Sequence, residues 1–186
     1  ALLHDTIEDP NATHEEVAKQ FGETVAALVE GVTKLSRVQY TSKEEEQMEN
    51  LRKMFMAMAQ DIRVILIKIC DRLHNMRTME YQSPAKQREK SLETMEIYAP
   101  IAHRLGMQKL KWELEDLSLR YLDPVGYKEI EDELAARSSA HEEFLAAVQQ
   151  RITQRMWEEG IRCKVYGRVK HTYSIYRKMF TQNKTL

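Results

Sequence analysis

The chain has 186 residues, 42% of them hydrophobic, enough to bury a sizeable core and to hold one domain or one domain and part of another. Its 28 Lys and Arg against 29 Asp and Glu leave a formal net charge of −1, so no electrostatic bias acts at the level of the whole chain. Two distant cysteines, Cys70 and Cys163, exclude a disulfide scaffold or a structural zinc cluster, and no apolar run approaches the roughly 20 residues needed to span a bilayer.

The chain opens on Leu3-His4-Asp5-Thr6-Ile7-Glu8-Asp9-Pro10, one histidine and three carboxylates within six residues. An adjacent His-Asp pair offers an imidazole nitrogen and a carboxylate oxygen, a mixed set that divalent metals such as Mn²⁺ accept. Taken alone, such a pair is a solvated helix end. A loop at residues 9–12 follows, and Thr13-His14-Glu15-Glu16 reads as a capping box opening a helix that Gly22 ends. Val25, Leu28, Val29, Val32 and Leu35 then recur at helical spacing. After a polar turn Ser42 caps a helix whose Met48, Leu51, Met54, Phe55 and Met58 form a stripe read as core filling.

Asp61 starts the next helix, on which Val64, Ile67, Asp71, Asn75 and Thr78 share a stripe. Asp71, continuing an apolar face, needs a cation, a hydrogen-bond network or a metal, because an unpaired buried charge is costly. It is the best candidate to complete the His4-Asp5 set, with a salt bridge to an Arg or Lys as the structural alternative; Arg72 points elsewhere on the helix. Ser83-Pro84 opens a further helix, which Pro100 is expected to bend or break, and His103 lies outside the motifs as a packed or capping residue. A helix from about Met107 runs to Asp123-Pro124, a natural boundary. A helix from Tyr127 to Glu159, interrupted near Arg137-Ser138-Ser139, leads to Gly160, after which residues 161–166 alternate apolar and polar as a half-buried strand. From Gly160 to Leu186 there are seven Lys and Arg and no acid, with tyrosines interleaved, a pattern suited to polyphosphate or nucleic acid.

His4-Asp5, Glu8-Asp9, and Asp71 with Asn75 in the run Asp71-Arg72-Leu73-His74-Asn75-Met76-Arg77-Thr78 resemble the HD-type metal phosphohydrolase domain of the Rel/SpoT enzymes, which hydrolyse and make the alarmones ppGpp and pppGpp. The stretch from Tyr166 to Met179 resembles the opening of that family's synthetase domain. The resemblance runs essentially end to end, and the chain, which has no initiator Met, reads as an excised piece of a longer protein. It implies a mainly α fold: an HD-type hydrolase domain with connecting helices at residues 1–123, and at 124–186 the helix-strand-helix beginning of an α/β, nucleotidyltransferase-like synthetase domain.

It further implies Mn²⁺ held by His4, Asp5 and Asp71, with one more histidine upstream, and Glu8 and Asp9 as catalytic residues. Asn75 and Thr78 would touch nucleotide, and His74 would stand behind the ligands. The implied reaction is Mn²⁺-dependent release of the 3′-pyrophosphate of ppGpp or pppGpp, giving GDP or GTP. For the second domain it implies ATP-binding residues Arg168, Lys170, Ser174 and Lys178, transfer of pyrophosphate from ATP to GDP or GTP, and Mg²⁺ held by acids beyond Leu186. The expected setting is the cytoplasm, with ribosome or tRNA regulation through other regions and no membrane. Two other readings are a general HD nucleotide phosphohydrolase and a non-catalytic nucleotide- or RNA-binding module.

Overall fold

The computed structural model describes residues 2–7, 12–34, 52, 56, 61–168 and 170–182. Of the predicted helix capped by Ser42 only Arg52 and Met56 are among them, and its Met48, Leu51, Met54, Phe55 and Met58 lie outside, as do Glu8 and Asp9. Among the described residues every regular element is helical. We number the helices α1 His14–Phe21, α2 Glu23–Lys34, α3 Ile62–Arg77, α4 Pro84–Glu93, α5 Ala99–Arg104, α6 Gln108–Leu122, α7 Pro124–Ala136, α8 Ser138–Glu158 and α9 Thr172–Gln182. A single 3₁₀ turn, Met79–Tyr81, follows α3, and one π turn, Thr94–Tyr98, joins α4 to α5.

Local chemistry sets most of these boundaries. The Thr13 hydroxyl accepts from the Glu16 N–H at 3.3 Å while the Glu16 carboxylate accepts from the Thr13 N–H at 2.9 Å, satisfying two helix-start donors reciprocally. Gly22 closes α1 at φ 88°, a conformation open to glycine at no steric cost. Asp61 caps α3 by accepting from the Arg63 N–H, and Pro84 and Pro124 stand at helix starts, where the missing N–H is harmless. The helix expected from Tyr127 therefore starts three residues earlier, with the Asp123 carboxylate accepting from the Gly126 N–H at 3.0 Å. Pro100, expected to bend or break its helix, is absorbed differently: it offers no N–H to the Glu96 carbonyl, and the preceding turn widens so that the Ala99 N–H reaches the Thr94 carbonyl.

The predicted strand at 161–166 carries no ladder. A strand exists through its partner's hydrogen bonds, and among the described residues there is no second strand to supply them. The alternation instead accompanies an irregular segment whose Val165 carbonyl accepts from the Gln149 side chain of α8 at 3.3 Å.

Two compact units are present, Ala1–Leu114 and Glu115–Leu186, the division falling inside α6. In the first, α1 packs on α2 and α2 on α3 around Ala26, Val29, Val32, Val64, Ile65, Ile69, Leu73 and Met76, all buried. His14 ties α1 to α2, with Nε2 3.0 Å from Glu23 and Nδ1 3.0 Å from Glu30; the Glu23 hydrogen bond chiefly holds this imidazole's pKa above its usual range. The second unit packs α9 on α7 and α7 on α8, with Leu119 and Ile130 buried. No described helix is long and apolar enough to cross a membrane.

Gly31 marks the closest approach of α2 to α3: a Cβ there would stand 2.9 Å from Val64 Cγ2, and Val64 is buried and β-branched, with little room to turn away. Ala normally stabilises a helix interior over Gly by roughly 0.5–1 kcal/mol. Here overpacking reverses the sign, and Gly31→Ala should destabilise by about 1–2 kcal/mol in chemical denaturation. In a Val64→Ala background the same substitution should become neutral or stabilising, the non-additivity expected of two groups in contact.

Candidate metal and nucleotide site

His4 sits in a short turn fastened by the Thr6 hydroxyl and N–H, which donate to the Leu3 carbonyl at 2.7 and 3.2 Å. Its Nε2 lies 3.0 Å from Asp5 Oδ2 and 3.1 Å from Asp71 Oδ1, so residues 67 positions apart meet at one nitrogen. Asp71 projects from the second half of α3. One turn earlier the Lys68 ammonium stands 3.5 Å from its Oδ2, and one turn later the Asn75 amide donates to its Oδ1 at 3.3 Å. The salt-bridge alternative for Asp71 is thus partly realised, by Lys68 together with His4.

Asp71 is less deeply set than the stripe implied. The buried face of α3 is Val64, Ile65, Ile69, Arg72, Leu73 and Met76, and the line Asp71, Asn75, Thr78 runs along its edge, open to solvent at Asn75 and Thr78. The Thr78 hydroxyl is turned to its own helix, donating to the His74 and Asn75 carbonyls at 3.2 and 3.3 Å, while the His74 side chain is exposed. On the apolar side, a cavity of about 500 Å³ lined by Leu3, Phe21, Val25, Leu28, Val32 and Ile67 has His4 in its wall.

The donors suit a divalent cation in type and in pairwise spacing. Neighbouring ligands about 2.1 Å from an octahedral ion stand about 3.0 Å apart, and both carboxylates lie at about that separation from His4 Nε2. Among the described residues, however, no three His, Cys, Asp or Glu side chains already close on a common centre. Asp5 is the more exposed of the two carboxylates, with 64% of its side chain exposed against 16% for Asp71.

The remaining candidates lie in the second unit. Arg168 and Lys170 are exposed on the irregular segment before α9; Ser174 is in its first turn and Lys178 one turn further on, exposed. The start of α9 is engaged by acids that the sequence reading did not single out. The Tyr173 N–H donates to Asp116 Oδ1 at 2.7 Å, the Thr172 hydroxyl donates to Glu131, and Glu115 lies 3.3 Å from His171 Nε2, which is also 3.0 Å from the Ser174 hydroxyl. Burial pushes the Asp116 carboxyl above its usual pKa even though helix N–H groups favour its charged form. Glu115, His171 and Ser174 are no relay for activating a hydroxyl, because one ring nitrogen faces both partners and a relay needs two. At the far side Tyr176 donates to Asp123 Oδ2 at 2.9 Å, which helps hold that carboxylate's pKa below its usual range after the stronger Gly126 N–H. Acids on an amphipathic helix such as α6 read as a solvated face, and no local signal separates Glu115 and Asp116 from their neighbours.

Residues 1–108 match the HD domain family. Over 184 residues, 98% of the chain, it is 49% identical to a probable guanosine-3′,5′-bis(diphosphate) 3′-pyrophosphohydrolase of Synechocystis. It is 50% identical over 96% of its length to the bifunctional (p)ppGpp synthase/hydrolase SpoT of Escherichia coli, and 50% identical over 97% to a GTP pyrophosphokinase of Myxococcus xanthus. The chain spans about a quarter of the length of these curated relatives, 24%, 26% and 24% respectively. With its first 108 residues matched and its histidine and aspartates brought together, the chain belongs to the HD domain family, and it is similar along nearly its whole length to these Rel/SpoT-type relatives.

Proposed function

We propose that this chain is part of a bifunctional alarmone enzyme, and that its first unit hydrolyses the 3′-pyrophosphate of ppGpp or pppGpp. The observation that carries the reading is the 3.1 Å contact of His4 with Asp71, in a chain about half identical to relatives named for this hydrolysis. His4, Asp5 and Asp71 would hold Mn²⁺, which when bound polarises phosphoryl oxygens and lowers the pKa of a coordinated water. His4 must present a neutral imidazole for this, and the Asn75 amide steadies the Asp71 carboxylate from behind. Glu8 and Asp9 take the proton of the attacking water as its oxygen joins phosphorus. The bond from phosphorus to the ribose 3′ oxygen breaks, that oxygen gains a proton, and pyrophosphate leaves with GDP or GTP as the other product. Asn75 and Thr78, at the solvent edge of α3, touch the nucleotide.

In the same reading residues 1–123 form the hydrolase domain with its connecting helices, and 124–186 open the ATP-dependent synthetase domain. Arg168 would lie against adenine, Lys170 and Lys178 would face the triphosphate, and Ser174 would donate to phosphate. Mg²⁺ for that reaction would be held by acids outside this sequence, and ribosome or tRNA regulation would act through other regions of a cytoplasmic protein.

Holding the metal and moving the proton should separate. In a chain extended by its flanking sequence, Asp71→Ala should lose bound Mn²⁺ and hydrolysis together, measured by metal analysis after desalting and by pyrophosphate release. Glu8→Gln and Asp9→Asn should keep Mn²⁺ while turnover falls about 10²-fold or more. Unchanged Mn²⁺ in Asp71→Ala would defeat the ligand assignment.

The two activities should separate as well. Charge-assisted hydrogen bonds to phosphate contribute roughly 1.5–3 kcal/mol each, so replacing Arg168 and Lys170 together by Ala should reduce synthesis by at least about 10²-fold and leave hydrolysis within about twofold. A matched loss of both activities in a folded protein would point to one shared nucleotide site.

A further inference from the structure

Arg72 is next to Asp71 in sequence and about 100° from it around α3, and it is the one charged residue on that helix's buried face. Only 8% of it is exposed. Its Nη2 donates to Glu93 Oε1 at 2.9 Å, and its guanidinium carbon lies 4.2 Å from the centre of the Tyr98 ring. Glu93 in turn receives the Lys90 ammonium at 3.1 Å on its other oxygen. A buried cation is tolerated only where its charge and donors are met, and here a carboxylate and an aromatic face meet them from one partner helix.

That pairing depends on the π turn. On a regular α-helix, residues 93 and 98 would stand about 140° apart and could not both face one guanidinium. The turn between them is closed by i to i+5 hydrogen bonding, Ala99 N–H to Thr94 carbonyl, which swings residues five apart towards one face. Glu93 and Tyr98 thereby form one socket. With Arg72 seated in it, the neighbouring Asp71 lies about 100° around α3, on the side where it meets His4.

We propose that Arg72, Glu93 and Tyr98 are positioning residues for the metal-binding face. Seated in the π-turn socket, the Arg72 guanidinium sets the rotation of α3 and with it the reach of Asp71 to His4. The consequence for catalysis rests on the hydrolase reading; the consequence for α3 does not.

The test uses an independent reporter of helix rotation. Cys70 is exposed on α3, two residues and about 200° from Arg72, so any rotation carrying Arg72 outward carries Cys70 inward. In the chain extended by its flanking sequence, with Cys70 kept as the single cysteine and every other one, Cys163 included, replaced by Ser, metal-free, the modification rate of Cys70 by a thiol reagent should fall at least threefold in Glu93→Gln and in Tyr98→Leu. Tyr98→Phe, which keeps the aromatic face, should retain the original rate. With Mn²⁺ present, the first two variants should lose at least tenfold in kcat for ppGpp hydrolysis with KM within twofold, and Tyr98→Phe should be spared. Helical circular dichroism at the assay temperature confirms the fold. If Glu93→Gln does not fold, Arg72→Lys, which keeps the charge but not the planar contact with the ring, is measured in its place with the same outcome expected. An unchanged Cys70 rate in folded variants overturns the proposal. Altered Cys70 rates in a protein that never hydrolyses ppGpp would uphold the socket and refute the hydrolase reading.

Discussion

The contact between His4 and Asp71 is the constraint on which the first unit depends. A histidine in a six-residue turn and an aspartate on a helix 67 positions later are held 3.1 Å apart, although neither is deep enough for packing alone to fix it. The helices around them supply the fixing. The His14 link and the close approach at Gly31 set α1, α2 and α3 against one another, and Arg72 locks α3 from the other side. Polar groups placed at the margin of an apolar core combine a defined position with access for a ligand, which fully buried groups lack and fully exposed ones cannot maintain.

The second unit solves a different problem. Among its described residues few aliphatic side chains are buried, and α9 is anchored by hydrogen bonds and charge, with Asp116, Glu131 and Glu115 gathered at its start. Negative groups at a helix N-terminus are favourable because the unsatisfied N–H groups and the helix dipole both attract them. The same donors are those a phosphate would seek, so the acids of α6 and α7 occupy in this structure the end of α9 that polyphosphate chemistry would use.

Much of the helical frame is legible in the sequence because its signals are local. The capping box at Thr13, the cap at Asp61, the proline after Ser83 and the glycine closing α1 act within a few residues of themselves, and Asp123-Pro124 reads as a boundary although the helix it opens begins three residues before the expected start. What escapes is set by distant partners. The alternation at 161–166 predicts a strand, and among the described residues no second strand pairs with it. Pro100 announces a disturbance, but whether the chain kinks, stops or widens into a π turn depends on what Glu93 and Tyr98 must face. Arg72 reads as a side chain pointing away from the site; its burial follows from a socket formed at the end of the next helix, α4, and the π turn after it. The approach of His4, Asp5 and Asp71 was signalled by motif and helical stripe, whereas the partners of Asp71 on its own helix, Lys68 and Asn75, are visible only with the side chains in place. Glu8 and Asp9 lie outside the described residues, and their roles rest on the motif.

Whether this histidine and these aspartates serve a metal-dependent attack on a 3′-pyrophosphate is decided by ³¹P NMR of ppGpp incubated with Mn²⁺ and the chain extended by its flanking sequence. The 3′ resonances should disappear as pyrophosphate and GDP grow in equal amounts, and a chelator should stop the conversion. Orthophosphate as the first product, or conversion unaffected by the chelator, would contradict that role.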